Sequence, residues 1–322
     1  MRAVQFTRTG GPEVLEVVDV PLPEPRPGQA RVRHEATGIN FIDTYHRTGL
    51  YPVKLPCIPG GEAAGVVDAV GEGVTAVKIG DRVAYSGGFG AYAEANCVQD
   101  DRLVKLPEGI DARTAAAILL KGMTTEAFVC RTYPVRAGET VLVHAAVGGV
   151  GQIMTQWLKA IGAEVIATVG SDEKAARARA LGADHVILYR EQDVAAEVKR
   201  ITGGKGVPVA YDSVGKDTFE GTLGSLARRG LFVSFGNASG PVAPFAPGRL
   251  AAGGSLYLTR PTLFDYVVTA EELAASAAAV FEMVLSGKIR IEIGQTFPLA
   301  DARKAHEALE GRATVGASLL LP

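Results

Sequence analysis

The 322-residue sequence has few cysteines, no long apolar run and almost no net charge. Its three cysteines, Cys57, Cys97 and Cys130, lie far apart without a Cys-x-x-Cys pair, which argues against a disulfide framework or a four-thiolate zinc lobe. Each is expected to be a small buried residue. No run approaches the roughly 20 apolar residues that span a bilayer, and the amino terminus lacks a signal-peptide segment. The sequence therefore predicts a cytoplasmic protein.

The charge balance argues against nucleic acid as the main partner. The chain has 33 basic and 35 acidic side chains, a formal net charge of -2, without the basic excess that phosphate backbones attract. Hydrophobic residues make up 47% of the chain, and its length exceeds what one core usually fills. Two domains with sizeable cores are expected.

The pattern of secondary structure changes along the chain. Residues 1–120 predict short antiparallel strands, in a small barrel, separated by Gly, Pro and Asp. From about residue 139, apolar strands alternate with helical patterns, which predicts right-handed crossovers and a parallel sheet. One of these helices is predicted over residues 217–229, ending with Arg228 and Arg229.

A glycine-rich loop lies between the first strand and first helix of the second region. The strand reads VLVH, the loop reads AVGGVG over residues 146–151, and the helix carries an apolar face from Val150 to Ile161. Glycines at such a junction let a pyrophosphate approach the backbone at the helix amino end. The strand–loop–helix context therefore favours a dinucleotide site over a bare turn.

The next strand end indicates which dinucleotide binds. NAD-binding folds place a carboxylate there for the ribose hydroxyls, but this chain has Val169, followed by Gly170, Ser171 and Lys174. Small residues, a hydroxyl and a cation suit the 2'-phosphate of NADP(H). Asp172 leaves NAD open as an alternative, and Lys174 also fits an ordinary surface lysine.

Several segments together resemble one enzyme family. They are GINFIDTYHRTGLY, PGGEAAG, LLKGMTTE, YDSVGKDTFE, VSFGNASG and LYLTRPTL. Over essentially the whole chain, the sequence resembles the quinone oxidoreductase (zeta-crystallin-like) family of the medium-chain dehydrogenase/reductase superfamily. The resemblance implies an α/β fold with a Rossmann-type doubly wound parallel sheet plus a GroES-like antiparallel β-barrel domain. It implies domain boundaries of 1–121 with 263–322 for the catalytic domain, and 122–262 for the NADPH-binding domain.

The chain departs from the zinc alcohol dehydrogenases of that superfamily. Those enzymes place zinc-ligand cysteine and histidine residues where this chain has Asn40 and Gly61, and the four-cysteine insertion is missing. The five histidines show no helical pair that would form another metal site. The expectation is NADPH without zinc, and reduction of an acceptor that is already electrophilic, a quinone.

The resemblance also carries over individual residues. It places Asn40, Tyr45 and Tyr51 at the nicotinamide, where an amide and phenols would donate hydrogen bonds to the acceptor, although both tyrosines also suit rim or core positions. The expected cofactor residues are Asn40, Thr124, Gly148, Gly149, Val150, Gly170, Ser171, Lys174, Tyr189, Ser213, Val214, Phe235, Gly236, Arg260 and Arg312. The two arginines also suit ordinary ion pairs.

The sequence leaves the assembly, the acceptor and the class of protein open to more than one interpretation. The resemblance implies a homodimer joined through the strand SLYLTR. An NADPH-dependent enone or alkenal reductase would share every cofactor residue and differ only in the acceptor. A protein of another class, a non-catalytic NADPH-binding crystallin or RNA-binding protein, is disfavoured by the net charge of -2. The sequence specifies neither the physiological acceptor nor whether one or two electrons are transferred.

Overall fold

The antiparallel strand pairs of the computed structural model all belong to one unit, and a six-stranded parallel sheet belongs to the other. The structure describes residues 1–311 and 313–322. Unit 1 comprises Met1–Met123, Val267–Ser286 and Ile291–Pro322, and unit 2 comprises Thr124–Tyr266 and Gly287–Arg290.

The amino-terminal part of unit 1 consists mainly of strands. In chain order the elements are β1 (Arg2–Gln5), β2 (Glu16–Asp19), β3 (Gln29–Ile39), α1 (Phe41–Thr48), β4 (Glu62–Val70), β5 (Arg82–Ser86), β6 (Ala95–Gln99), β7 (Val104–Lys105) and α2 (Ala112–Glu126). A π-helical turn, Ala127–Thr132, follows α2 in unit 2.

Unit 2 alternates strands with helices. Its elements are β8 (Thr140–Val143), α3 (Gly149–Ile161), β9 (Glu164–Val169), α4 (Asp172–Ala180), β10 (His185–Leu188), α5 (Val194–Ile201), β11 (Val207–Asp212), α6 (Phe219–Ser225), β12 (Leu226–Ser234), α7 (Gly248–Ala252) and β13 (Tyr257–Thr259). The chain then returns to unit 1 with α8 (Ala270–Leu285), β14 (Ile293–Pro298), α9 (Ala302–Glu310) and β15 (Ala317–Leu321).

The sheet of unit 1 is largely antiparallel. Its strand order is β14-β15-β3-β4-β5-β7, and β6 also pairs with β3. Only β14 with β15 is parallel among these pairs. The carboxy-terminal strands thus complete a sheet begun by the amino-terminal ones, and Phe6, Ile39, Tyr92 and Leu320 share one core cluster.

The sheet of unit 2 is parallel throughout. Its six strands have the order β10-β9-β8-β11-β12-β13, which is the order 3-2-1-4-5-6 in chain sequence. That order and the alternating helices are those of a doubly wound dinucleotide-binding fold. The parallel sheet predicted from the sequence is therefore confirmed.

Helix α3 forms where the apolar period predicts it. Ile153, Met154, Trp157 and Leu158 are all buried on one face. Gly162 ends the helix in the left-handed conformation, with φ of 92°, which an L side chain rarely adopts.

Two expectations about single segments are wrong. The helix predicted to reach Arg229 ends at Ser225, because Leu226 pairs with Val207 as the buried first residue of β12. Arg228 and Arg229 therefore lie in a strand, and Arg229 has a φ of 62°. Of the three cysteines, only Cys57 is buried, whereas Cys97 is partly exposed and Cys130 exposed.

A chain of buried polar groups links α1 to α9 within unit 1. Arg47 Nη1 donates to His306 Nδ1 at 3.1 Å, which leaves the proton of His306 on Nε2, 2.9 Å from the Tyr92 hydroxyl. Tyr92 in turn donates to Asp43 Oδ2 at 3.1 Å. Burial is the main cause that raises the pKa of Asp43 to about 7, and it lowers the pKa of His306 to about 3.

The raised pKa of Asp43 predicts a pH-dependent contribution to stability. The folded protein holds this proton more tightly than the unfolded chain, whose aspartates titrate near pH 4, so stability is lost as pH rises toward 7. We expect the unfolding free energy of the wild type, minus that of Asp43→Asn, to fall by roughly 3 kcal/mol from pH 4.5 to pH 7. Urea titrations across that range measure it, and a difference that is constant with pH contradicts it.

Candidate active site

Most of the sequence-predicted cofactor residues of unit 2 follow the carboxyl ends of the parallel strands. The glycine loop follows β8, Gly170 and Ser171 follow β9, and Tyr189 follows β10. Further along the sheet, Ser213 and Val214 follow β11, Phe235 and Gly236 follow β12, and Arg260 follows β13. Because parallel strands end at the same edge of a sheet, the fold places these residues along one edge.

The glycine loop makes close backbone contacts. A Cβ on Gly151 would lie 2.2 Å from the Ala145 carbonyl oxygen, so a side chain here would push α3 away from the loop. Gly148 is the N-cap of α3, and a Cβ there would meet only the Ala145 oxygen, at 3.3 Å. The first N–H groups of α3, from Gly149, Val150 and Gly151, have no acceptor within the helix and suit an anion.

The end of β9 combines small residues with a helix start. Ser171 is the N-cap of α4, and its hydroxyl oxygen accepts the Lys174 backbone N–H at 3.4 Å. Tyr189 covers Gly170, where a Cβ would lie 2.9 Å from the tyrosine oxygen. Asp172, the alternative ribose ligand, is exposed in the first turn of α4.

A buried carboxylate that sequence reasoning missed organises the end of β11. Asp212 Oδ1 accepts the N–H groups of Val214 and Gly215 at 2.7 and 3.1 Å. Asp212 Oδ2 accepts the hydroxyls of Thr218 and Thr222 at 2.7 and 2.9 Å. These bonds hold the turn that carries Ser213 and Val214. The sequence signal was an aspartate at the end of an apolar strand, just before Ser213.

The ends of β12 and β13 are joined through Arg260. Its Nη1 donates to the Gly236 carbonyl oxygen at 3.2 Å. With the Asn237 amide turned so that its oxygen faces the guanidinium, Nη2 donates to that oxygen at 3.0 Å. Gly236 lies directly on the β11 turn, because a Cβ there would be 2.1 Å from the Ser213 oxygen. Phe235 packs its ring on Phe128, with centroids 5.2 Å apart.

The three residues predicted at the nicotinamide come together around α1 in unit 1. Asn40 is the N-cap of α1 and forms a capping box with Asp43. The rings of Tyr45 and Tyr51 meet edge to face, with centroids 5.3 Å apart. Asn40 and Tyr45 are buried, and Tyr51 is partly exposed.

A second missed carboxylate holds the Asn40 side chain. Asn40 Nδ2 donates to Glu62 Oε2 at 2.9 Å, and Lys121 Nζ donates to the same oxygen at 2.9 Å. Glu62 Oε1 accepts the Leu120 N–H at 2.7 Å, and the Glu62 side chain is completely buried. In the sequence this residue lies inside the PGGEAAG segment, directly after Gly61.

The contacts above leave two predicted residues to be described, and the structure also contains one large cavity. Thr124 is half-buried in α2, and Arg312 lies outside the described residues. A cavity of about 640 Å³ in unit 1 is lined by apolar residues of α8, including Leu273 and Phe281, and by Leu103. None of the predicted site residues lines it.

Comparisons with known proteins identify the family. The chain matches the family model "Zinc-binding dehydrogenase" over residues 149–282 and "Alcohol dehydrogenase GroES-like domain" over residues 26–108. It is 53% identical to a quinone oxidoreductase of Pseudomonas aeruginosa, over 100% of this chain and 99% of that protein. The chain belongs to the quinone oxidoreductase family of the medium-chain dehydrogenases/reductases.

Solved structures of quinone oxidoreductases have the same fold. The Escherichia coli quinone oxidoreductase complexed with NADPH is 48% identical, with a TM-score of 0.98 and full coverage of both chains. A 2-haloacrylate reductase from a Burkholderia species is 42% identical, over 99% of this chain and 98% of that protein. The GroES-like and Rossmann-type fold predicted from the sequence is therefore confirmed.

One family model is named for zinc, but the donor groups of this chain do not fit that metal. Asn40 presents an amide nitrogen that donates to Glu62, and Gly61 has no side chain. Within residues 1–311 and 313–322, no group of three or more His, Cys, Asp and Glu side chains is arranged to hold a metal ion. No helix in the same part of the chain is long and apolar enough to cross a membrane.

The glycine contacts predict different costs for two substitutions in the same loop. Gly151→Ala places a methyl group against the Ala145 carbonyl, and overpacking of this kind costs about 1–3 kcal/mol. Gly148→Ala meets only one atom at 3.3 Å, so we expect a smaller loss. Thermal unfolding of both variants measures the difference. Equal melting temperatures would show that the loop shifts freely.

Proposed function

We propose that this chain binds NADPH along the carboxyl edge of the unit 2 sheet and uses it to reduce a quinone. The observation that carries the proposal is the convergence of glycine loop, helix start and strand ends at one edge of a 3-2-1-4-5-6 sheet. When bound, NADPH supplies a hydride from its nicotinamide ring. The chain binds the cofactor and orients the reactants.

The glycine loop fits the pyrophosphate of the cofactor. Gly148 leaves its Cβ position open apart from one oxygen, so the ligand can approach the backbone there. The amides of Gly149 and Val150 lie in the first turn of the 13-residue helix α3, whose amino end favours negative charge. This cradle supports NADPH as the cofactor.

The end of β9 fits the 2'-phosphate of the adenosine. Gly170 and Ser171 leave room, Lys174 brings a cation, and Tyr189 supplies a hydroxyl beside Gly170. Ser213, Val214, Phe235, Gly236 and Arg260 would line the remaining cofactor along the ends of β11, β12 and β13. Thr124 and Arg312 stay in the proposed cofactor set on the family resemblance alone.

Unit 1 supplies the groups proposed for the acceptor. Tyr45 and Tyr51 present a phenol pair that can stack on a flat quinone ring and donate a hydrogen bond to its oxygen. We assign residues 1–121 with 263–322 to catalysis and the acceptor, and residues 122–262 to NADPH.

Assembly and location are part of the same proposal. We propose a homodimer joined through β13, a three-residue strand at one end of the unit 2 sheet that bears the exposed Tyr257. An unpaired strand edge is suited to pairing with a second chain. A cytoplasmic location stays a prediction from the sequence.

The activity itself predicts a specific pattern of turnover. We expect purified, chelator-treated protein to oxidise NADPH with a panel of quinones, and to use NADH at least ten-fold less efficiently in kcat/KM. The nicotinamide absorbance follows the reaction. Turnover with enones or 2-haloacrylates but not with quinones would reassign the acceptor, and tight NADPH binding without any turnover would favour a non-catalytic protein.

Lys174 tests the choice of nucleotide. Because a hydrogen bond to a charged group contributes about 1.5–3 kcal/mol, Lys174→Ala should raise the KM for NADPH roughly ten-fold or more and leave the KM for NADH unchanged. Arg200→Ala is the matched control, since it removes a cation that pairs with Glu197 on α5. An equal effect on both nucleotides would remove Lys174 from the 2'-phosphate site.

A further inference from the structure

The buried Glu62 carboxylate accepts three hydrogen bonds and lies against Gly38, where a side chain would collide with it. It accepts Asn40 Nδ2, Lys121 Nζ and the Leu120 N–H, and none of its surface is exposed. A Cβ on Gly38 would come within 2.3 Å of both Glu62 Oε2 and the Ala116 carbonyl oxygen. The close approach at Gly38 and the three donors therefore place this carboxylate beside the N-cap of α1.

A carboxylate such as that of Glu62 only accepts hydrogen bonds, so the nitrogen end of the Asn40 amide has to face it. The second Nδ2 hydrogen of Asn40 is directed to the Gly38 carbonyl oxygen at 3.4 Å. Both amide hydrogens of Asn40 thus have acceptors inside unit 1. Asn40 also caps α1 through its backbone, because its main-chain oxygen accepts the Asp43 N–H at 3.0 Å and its own N–H donates to Asp43 Oδ2 at 2.8 Å. The side-chain oxygen is the end of the amide that accepts hydrogen bonds.

This geometry changes the role expected for Asn40. The sequence suggested an amide that donates a hydrogen bond to the acceptor, but the donors of this amide are already engaged. We infer that Glu62, paired with Lys121, is a positioning residue that holds the Asn40 amide with its nitrogen inward, so that Asn40 meets the reacting ligands only as a hydrogen-bond acceptor. The inference rests on the proposed function and on the prediction from the sequence that Asn40 lies at the nicotinamide.

Glu62→Gln tests the inference with little change in shape. A glutamine amide can turn either end toward Asn40, so it no longer selects the amide orientation. We expect kcat for quinone reduction to fall roughly 10–100-fold, while the Kd for NADPH, measured by nicotinamide fluorescence, stays within three-fold of the wild type. An unchanged kcat overturns the inference.

A double variant separates positioning from folding. Glu62→Gln leaves the buried Lys121 ammonium without its carboxylate, and Glu62→Gln/Lys121→Gln removes that charge as well. We expect the double variant to regain thermal stability but not kcat. Recovery of kcat together with stability would show a purely structural role. Asp68→Asn is the matched control, since this carboxylate on β4 pairs with Arg31 and Arg33.

Asn40→Asp supplies a readout that a structural role would not move. A carboxyl at position 40 can donate a hydrogen bond to Glu62, as the Asn40 amide does, only while it is protonated. Glu62 favours that protonated form at low pH, because two carboxylates that share a site do not both ionise readily. The charged or titratable groups around it are Glu62 on β4, Lys121 on α2 and Asp43 on α1, with Tyr92 behind Asp43. Asp43 itself has a pKa raised to about 7, so the wild-type profile is the reference for its titration. We expect kcat of Asn40→Asp to fall as pH rises from 6 to 9, relative to the wild-type profile.

The outcomes distinguish failure of the inference from failure of the proposed function. A wild-type chain that shows no quinone turnover with NADPH would overturn the proposed function. A wild type that turns over quinones, together with an Asn40→Asp profile parallel to its own, would overturn the inference alone.

Discussion

Parallel pairing of β8 to β13 is the constraint on which the cofactor side of this protein depends. Each strand of such a sheet runs in the same direction, so each loop that leaves a carboxyl end emerges at the same edge. Residues from Gly148 to Arg260, far apart in the chain, are thereby brought to one line. The turns at that edge are held by contacts that leave little room for change, such as Gly236 against Ser213 and the four bonds to Asp212.

In unit 1, buried acidic side chains hold the residues at the start of α1 in place. Two carboxylates meet at the start of α1: Asp43 accepts the Asn40 backbone N–H at 2.8 Å, and Glu62 accepts the Asn40 side chain. From Asp43, a series of hydrogen bonds runs through Tyr92 and His306 to Arg47. Arg47 in turn pairs with the partly exposed Glu310 at 2.7 Å. A buried polar group is costly unless its hydrogen bonds are made, so such a network favours one arrangement of α1. The carboxy-terminal return of the chain thus helps to hold the residue that we propose meets the reactants.

Relatives of this chain are named for different acceptors. A quinone oxidoreductase and a 2-haloacrylate reductase resemble this chain at 53% and 42% identity over nearly their full lengths. Shape in an acceptor pocket discriminates substrates by small differences in contact, whereas the cofactor requires fixed backbone geometry. In the proposed function, the phenols of Tyr45 and Tyr51 are among the side chains that would determine the acceptor of this chain.

Local patterns in the sequence determined much of this protein. The alternation of apolar strands with helices predicted the parallel sheet, and the apolar period after the glycine loop predicted the buried face of α3, because these signals depend only on residues close in the chain. The prediction that a helix reaches Arg229 was wrong, because Leu226 is buried beside β11. That contact joins two segments distant in the sequence. The tertiary structure alone decided the partners of Glu62, Asp43 and Asp212. A buried carboxylate takes its role from donors that folding brings to it, such as Lys121 for Glu62, and sequence spacing does not record that meeting.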